Sequence, residues 1–115
     1  MITLATLHEA TEQEIFTQVK NHLLSQNKRA VDTNGTACRY RINDLKCAAG
    51  CLIADSEYRP SMESYLWTNL VKIALVPDHH VELISVLQRI HDKVFDTSLW
   101  PESLRDIAQT YNLQY

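Results

Sequence analysis

Glycine and proline are scarce in this 115-residue sequence, which holds two of the first and three of the second. No stretch therefore has the composition of a flexible linker, a collagen-like repeat or a low-complexity tract. Long apolar runs are missing too. Stretches such as Ile73–Pro77 fall far short of the roughly 18 residues that a membrane-spanning helix requires, so no membrane partner is expected. Charge is not concentrated: eleven basic and fourteen acidic residues leave a net charge of −3. The closest basic groups, Lys28-Arg29 and Arg39-x-Arg41, do not build a face that could follow a phosphate backbone, and no nucleic acid is expected as a partner. Motifs of hydrolases and nucleotide-binding enzymes are also lacking, with no G-x-S-x-G elbow, no H-E-x-x-H and no glycine-rich phosphate loop.

What is present fits one globular domain spanning residues 1–115. The sequence is 45% hydrophobic and 22% charged, and a chain of this length buries about 65% of its unfolded surface without needing a disulfide or metal staple. The three cysteines are an odd number, and Met1–Leu4 leads into polar residues with no basic start and apolar core. These features predict a cytoplasmic protein with reduced thiols.

The pattern along the chain predicts an α+β fold, mainly α, with four to five helices packed on a small antiparallel hairpin or meander at about residues 30–47. Thr11-Glu12-Gln13-Glu14 has the form of a capping box, and Ile15, Phe16, Val19 and Leu23 make one apolar face behind it. Thr6-x-x-Glu9 offers a rival start, giving a short helical turn over residues 5–10. Asn34-Gly35 favours a hairpin turn, and Cys38, Tyr40 and Ile42 alternate with Ala37, Arg39 and Arg41 as in a half-buried strand, with a return over Leu45–Cys47. The small residues of Cys47–Ala54 suit a short buried helix with close backbone approach. Arg59-Pro60 interrupts, and Ser61 caps a helix predicted from Met62 to Leu75, with Leu66, Leu70 and Ile73 inward beside Trp67, Val71 and Ala74. Asp78 caps the next, which runs through Val81, Ile84, Leu87, His91 and Val94. A last helix follows Thr97-Ser98, with Leu104, Ile107, Ala108 and Tyr111 in register.

Cys38-x-Tyr40-Arg41, the run Leu45-Lys46-Cys47-Ala48-Ala49-Gly50-Cys51-Leu52-Ile53-Ala54-Asp55-x-x-Tyr58, and Leu87-Gln88-x-Ile90-His91-Asp92 resemble a family of short uncharacterised proteins from bacteria, phages and mobile gene cassettes. The resemblance covers the chain from about Glu14 onward and centres on Cys-Ala-x-Gly-Cys-Leu-Ile. It implies an accessory gene carried on mobile DNA and supplies no mechanism. Ala54 stands where the family often has proline, which implies a changed helix entry.

Cys38, Cys47, Cys51 and His91 are the candidate metal ligands, because zinc prefers four thiolate and imidazole donors in a tetrahedron. Their C-x8-C-x3-C spacing matches no paired knuckle, however, and packed thiols are the expectation. A cysteine nucleophile served by His91 and Asp92 is the catalytic variant. Adjacent helical residues point in different directions, so a bond between those two is awkward. His91 lies inside an apolar stripe, where its ring needs a polar partner. His79-His80 fit exposed positions at a helix start. Tyr40, Asp55 and Tyr58 join His91 and Asp92 as candidate binding residues. Asp55, Glu57, Glu63 and Glu82 read as solvated charge, and Tyr58, Tyr65, Trp67 and Trp100 as core or rim aromatics. The leading expectation is a non-enzymatic module that binds a protein or itself, with no cofactor. The alternative is a small-molecule or zinc site at the cysteines and His91.

Overall fold

The computed structural model describes all 115 residues. Four α-helices, short 3-10 turns and one two-stranded sheet make a mainly helical α+β fold. The predicted capping box opens α1 (Glu12–Gln26): the Thr11 hydroxyl accepts the Glu14 N–H at 3.1 Å, and Glu14 Oε1 accepts the Thr11 N–H at 2.9 Å. Ile15, Phe16, Val19 and Leu23 are buried along one face of α1, and Asn27 ends it in the left-handed region at φ 49°. Ahead of α1, Leu4–Glu9 forms its own 3-10 turn. Its first free donors, Leu4 N–H and Ala5 N–H, go to the Glu57 carboxylate at 3.0 and 2.9 Å, so Glu57 acts as a cap rather than as solvated charge.

The β element is smaller than its alternation predicts. Val31 and Cys38 meet in an isolated antiparallel bridge around Gly35, whose φ of 70° suits the turn. The regular ladder holds only β1 (Arg41–Ile42) and β2 (Leu45–Lys46), paired Arg41 with Lys46 and Ile42 with Leu45. The reason is Glu63, whose carboxylate accepts the N–H groups of Tyr40 at 2.9 Å and Arg41 at 3.2 Å. A side chain from a distant loop thus occupies donors that a longer strand would offer to a neighbour.

The short buried helix expected in Cys47–Ala54 is a 3-10 turn at Ala49–Leu52. Gly50 sits where a Cβ would stand 2.1 Å from the Tyr40 carbonyl oxygen, so the close approach expected of the small residues is real. The helix predicted over Met62–Leu75 is corrected. A 3-10 turn at Pro60–Met62 is followed by Glu63, turned toward β1, and by Ser64 at φ 71°, and α2 covers only Trp67–Lys72. Leu66 and Ile73, predicted to face inward, are 69% and 52% exposed, while Trp67 and Leu70 are buried.

Helix α3 (Val81–Lys93) begins three residues beyond Asp78. His80 precedes it at φ 56°, and its Nε2 atom lies 2.8 Å from the Ala10 carbonyl oxygen, so His80 ties α3 to the chain before α1. Leu83, Ile84, Leu87, Ile90 and His91 face the interior. Helix α4 (Trp100–Thr110) follows a 3-10 turn at Thr97–Leu99 and buries Trp100, Leu104 and Ala108. Helix α3 packs against α1, α2, α4 and the Ala49–Leu52 turn, making it the element around which the core is arranged. No helix is long and apolar enough to cross a membrane.

Candidate functional site

The last turn of α3 carries a continuous polar chain through the interior. His91 is fully buried, and its Nε2 accepts the Ala30 backbone N–H at 2.8 Å. That acceptor role leaves the ring proton on Nδ1, which is donated to Asp92 Oδ1 at 2.8 Å. Gln88, one turn earlier, donates through Nε2 to the same oxygen at 2.8 Å, and its Oε1 accepts the Ala49 N–H at 2.8 Å. The bond between the adjacent His91 and Asp92, judged awkward from their helical directions, is therefore made. Gln88 holds the Asp92 side chain along the helix at the i, i+4 spacing that allows it.

Arg29 closes the helix end. Its Nε donates to the His91 carbonyl at 3.0 Å, and its Nη2 reaches the Asp92 carbonyl at 2.9 Å and Cys38 Sγ at 3.2 Å, while the guanidinium lies 4.2 Å over the Phe95 ring. These are the carbonyls that a helix C-terminus leaves without partners, and a cation there also suits the helix dipole. The ligand-type atoms of Cys38, His91 and Asp92 consequently gather within 4.8 Å of one another.

This trio is arranged for hydrogen bonding rather than for metal or nucleophile chemistry. A cation bound at Nδ1 would push the ring proton to Nε2, where it would face the Ala30 N–H donor. Neither ring nitrogen is free to take a proton from Cys38. Burial and the Asp92 charge raise the Cys38 thiol above its ordinary value, against the weaker pull of Arg29, which disfavours the thiolate a nucleophile needs.

Cys47 and Cys51 do not join the trio. Cys47 is fully buried, its sulfur accepts the Gly50 N–H at 3.2 Å, and burial pushes its thiol well up. Cys51 donates to the Ala48 carbonyl at 3.1 Å, and burial pushes it up to about 12. Among the other candidates, Asp55 is 89% exposed at its side chain and pairs with Arg41. Tyr58 donates to Glu63 Oε2 at 2.7 Å, and the buried Tyr40 hydroxyl donates to the Tyr65 carbonyl. Glu63, read as solvated from the sequence, has a side chain only 9% exposed and also pairs with Arg39 at 3.3 Å. Nothing in the sequence pointed to Glu63 or Arg29, whereas the Gln88-x-x-x-Asp92 spacing is a legible signal for a helical pair.

Two surface features remain. A hollow of about 160 Å³ has Cys38, Tyr40, Tyr65, Trp67, Gln88 and Asp92 in its wall, and a second of about 220 Å³ shares Trp67, Gln88 and Asp92 and adds Ser85, Arg89 and Lys93. On the other side of α3, an apolar groove of about 500 Å³ runs between α3 and α4 over Val86, Ile90, Val94, Ile107 and Tyr111. Its rim carries Glu82, Arg89, Lys93 and Asp106. The Tyr111 hydroxyl donates to Glu82 Oε1 at 2.9 Å, and burial together with that carboxylate pushes the phenol up to about 12. No protein-family model, curated protein or solved structure matches this chain.

Proposed function

We propose that this protein is a non-enzymatic interaction module that pairs with a second copy of itself through the α3–α4 face. The observation that carries the reading is the order of charges along α3. Glu82, Val86, Arg89 and Lys93 recur at i, i+4, i+7 and i+11 and so share one stripe of the helix. Two such helices crossing antiparallel about a point between Leu87 and Gln88 place Glu82 of each copy opposite Lys93 of the other. Val86 and Arg89 fall opposite each other in the same way. A two-fold contact needs a patch that complements itself, and this stripe does so in charge while the groove beside it supplies apolar surface. Against an enzymatic reading stands the buried polar chain, in which both ring nitrogens of His91 and both ends of the Gln88 amide are engaged. The resemblance to short cassette-borne proteins supports an accessory role.

Sedimentation velocity across a concentration series tests the pairing. The expected result is a reversible dimer that Glu82→Lys or Lys93→Glu each weakens by about tenfold, equivalent to about 1.4 kcal/mol. Combining both reversals should restore it. A strict monomer at millimolar concentration, or a double reversal that fails to restore association, refutes the reading.

A further inference from the structure

Trp67 is 98% buried by its 2% exposure, and its indole N–H, which can only donate, has no partner. The Ser85 hydroxyl is likewise buried and without a partner. Both residues are in the wall of the hollow of about 220 Å³, and that wall also carries the cations Arg89 and Lys93. Unpartnered buried polar groups are costly, and a native fold rarely retains two around one hollow without something to satisfy them. What satisfies an indole N–H must be an acceptor, and the neighbouring cations favour an anionic one.

The adjoining hollow has one cation, Arg39, in its wall. Asp92 is in its wall, and while Oδ1 receives both His91 and Gln88, Oδ2 receives no N–H or O–H from the protein. The Asp92 side chain is 24% exposed. Because Trp67, Gln88 and Asp92 belong to both walls, the two hollows adjoin, and the Asp92 carboxylate shares a wall with the Trp67 and Ser85 donors.

We infer that this double hollow binds a small zwitterion of the amino-acid class. Its carboxylate accepts from the Trp67 indole and the Ser85 hydroxyl between Arg89 and Lys93, and its ammonium donates to Asp92 Oδ2. The site lies on the α2 side of α3 and shares Arg89 and Lys93 with the pairing stripe, whereas Trp67, Ser85 and Asp92 belong to it alone, so the Trp67 signal distinguishes the two readings.

The two indole N–H resonances of the full-length protein report on the site, because Trp100 donates to the Val94 carbonyl at 2.9 Å and serves as an internal control. The probes are ω-amino acids from glycine to 6-aminohexanoate, with butyrate and butylamine as single-charge references. At least one ω-amino acid should shift the Trp67 signal saturably, at least tenfold more tightly than either reference, with Trp100 unmoved. Ser85→Ala and Arg89→Gln should each weaken that binding several-fold. Asp92→Asn should bring the ω-amino acid down to the affinity of butyrate. Should Asp92→Asn unfold, the butyrate comparison on the natural protein decides the same point. No saturable shift with any member of the series, equal affinity for butyrate, or contacts from the Trp67 indole to water alone overturns the inference.

Discussion

The backbone N–H of Ala30 points its hydrogen at Nε2 of His91, 2.8 Å away and 61 residues on in sequence. One contact thereby fixes the tautomer of a buried histidine, joins the chain after α1 to the end of α3, and leaves Nδ1 to hold Asp92. Replacing His91 by Ala leaves the Ala30 donor unsatisfied and opens a cavity beside Trp100, whose ring centroid is 6.1 Å from the imidazole. The expected loss is about 3 kcal/mol in urea unfolding, combining a buried unpaired donor with lost packing. A loss below about 1 kcal/mol would show that the bond has little energetic weight.

Gly50 permits no side chain. A Cβ 2.1 Å from the Tyr40 oxygen meets backbone rather than the end of a movable side chain. That same oxygen accepts the Cys47 N–H at 3.2 Å, which ties it in place. Gly50→Ala should therefore cost about 3 kcal/mol or more, in the range of strongly overpacked sites. A variant that melts with the natural protein would contradict the close approach.

Glu63→Gln tests the carboxylate that shortens the strand. An amide in its place turns a donor toward Tyr40 N–H, Arg41 N–H or the Tyr58 hydroxyl, all of which need acceptors. Losing charge-assisted bonds of this kind costs about 2 kcal/mol. Hydrogen exchange at the Tyr40 and Arg41 amides should accelerate in the variant, and unchanged protection would count against the role.

His22 supplies a pH dependence. Burial lowers its folded value, and the nearby charge of Lys46 acts in the same direction against the favourable Lys46 carbonyl. Its Nε2 lies 2.9 Å from that carbonyl. A base depressed in the folded state binds its proton more readily in the unfolded chain. The associated stability is full above the unfolded value near about 6.5 and is lost as pH falls below it toward the folded value. Thermal unfolding should weaken between about pH 7 and pH 5, and His22→Gln should flatten that slope. Equal slopes would remove His22 as the cause.

The thiols should be inert in the native protein at neutral pH. All three are raised, with burial the first cause in each. Alkylation followed by mass spectrometry should find slow modification, with half-buried Cys38 ahead of Cys47, and rapid modification of all three in urea. A native thiol that reacts faster than a free cysteine would reopen the nucleophile reading.

The order of helical and strand-forming segments was legible in the residues, because local chemistry suffices for it. Thr11 and Glu14 cap α1 through their own side chains, and the apolar spacing of α3 and α4 records which faces are buried. Where the sequence misled, a partner from far along the chain had intervened. Glu63 cut the strand at Arg41 from more than twenty residues away, and the positive φ of Ser64 and the turn of Glu63 reduced a fourteen-residue prediction to the six residues of α2.

The sequence alone determined that α3 would bury His91 and that its ring would need a partner, since period and polarity are properties of neighbouring residues. Only the tertiary structure decided that the partner is Ala30, that Cys38 rather than Cys47 or Cys51 comes to Asp92, and that Trp67 keeps an unpaired indole proton. Those pairings depend on the relative placement of segments separated by tens of residues. Many arrangements satisfy the same local pattern, and the packing of the whole core selects one of them.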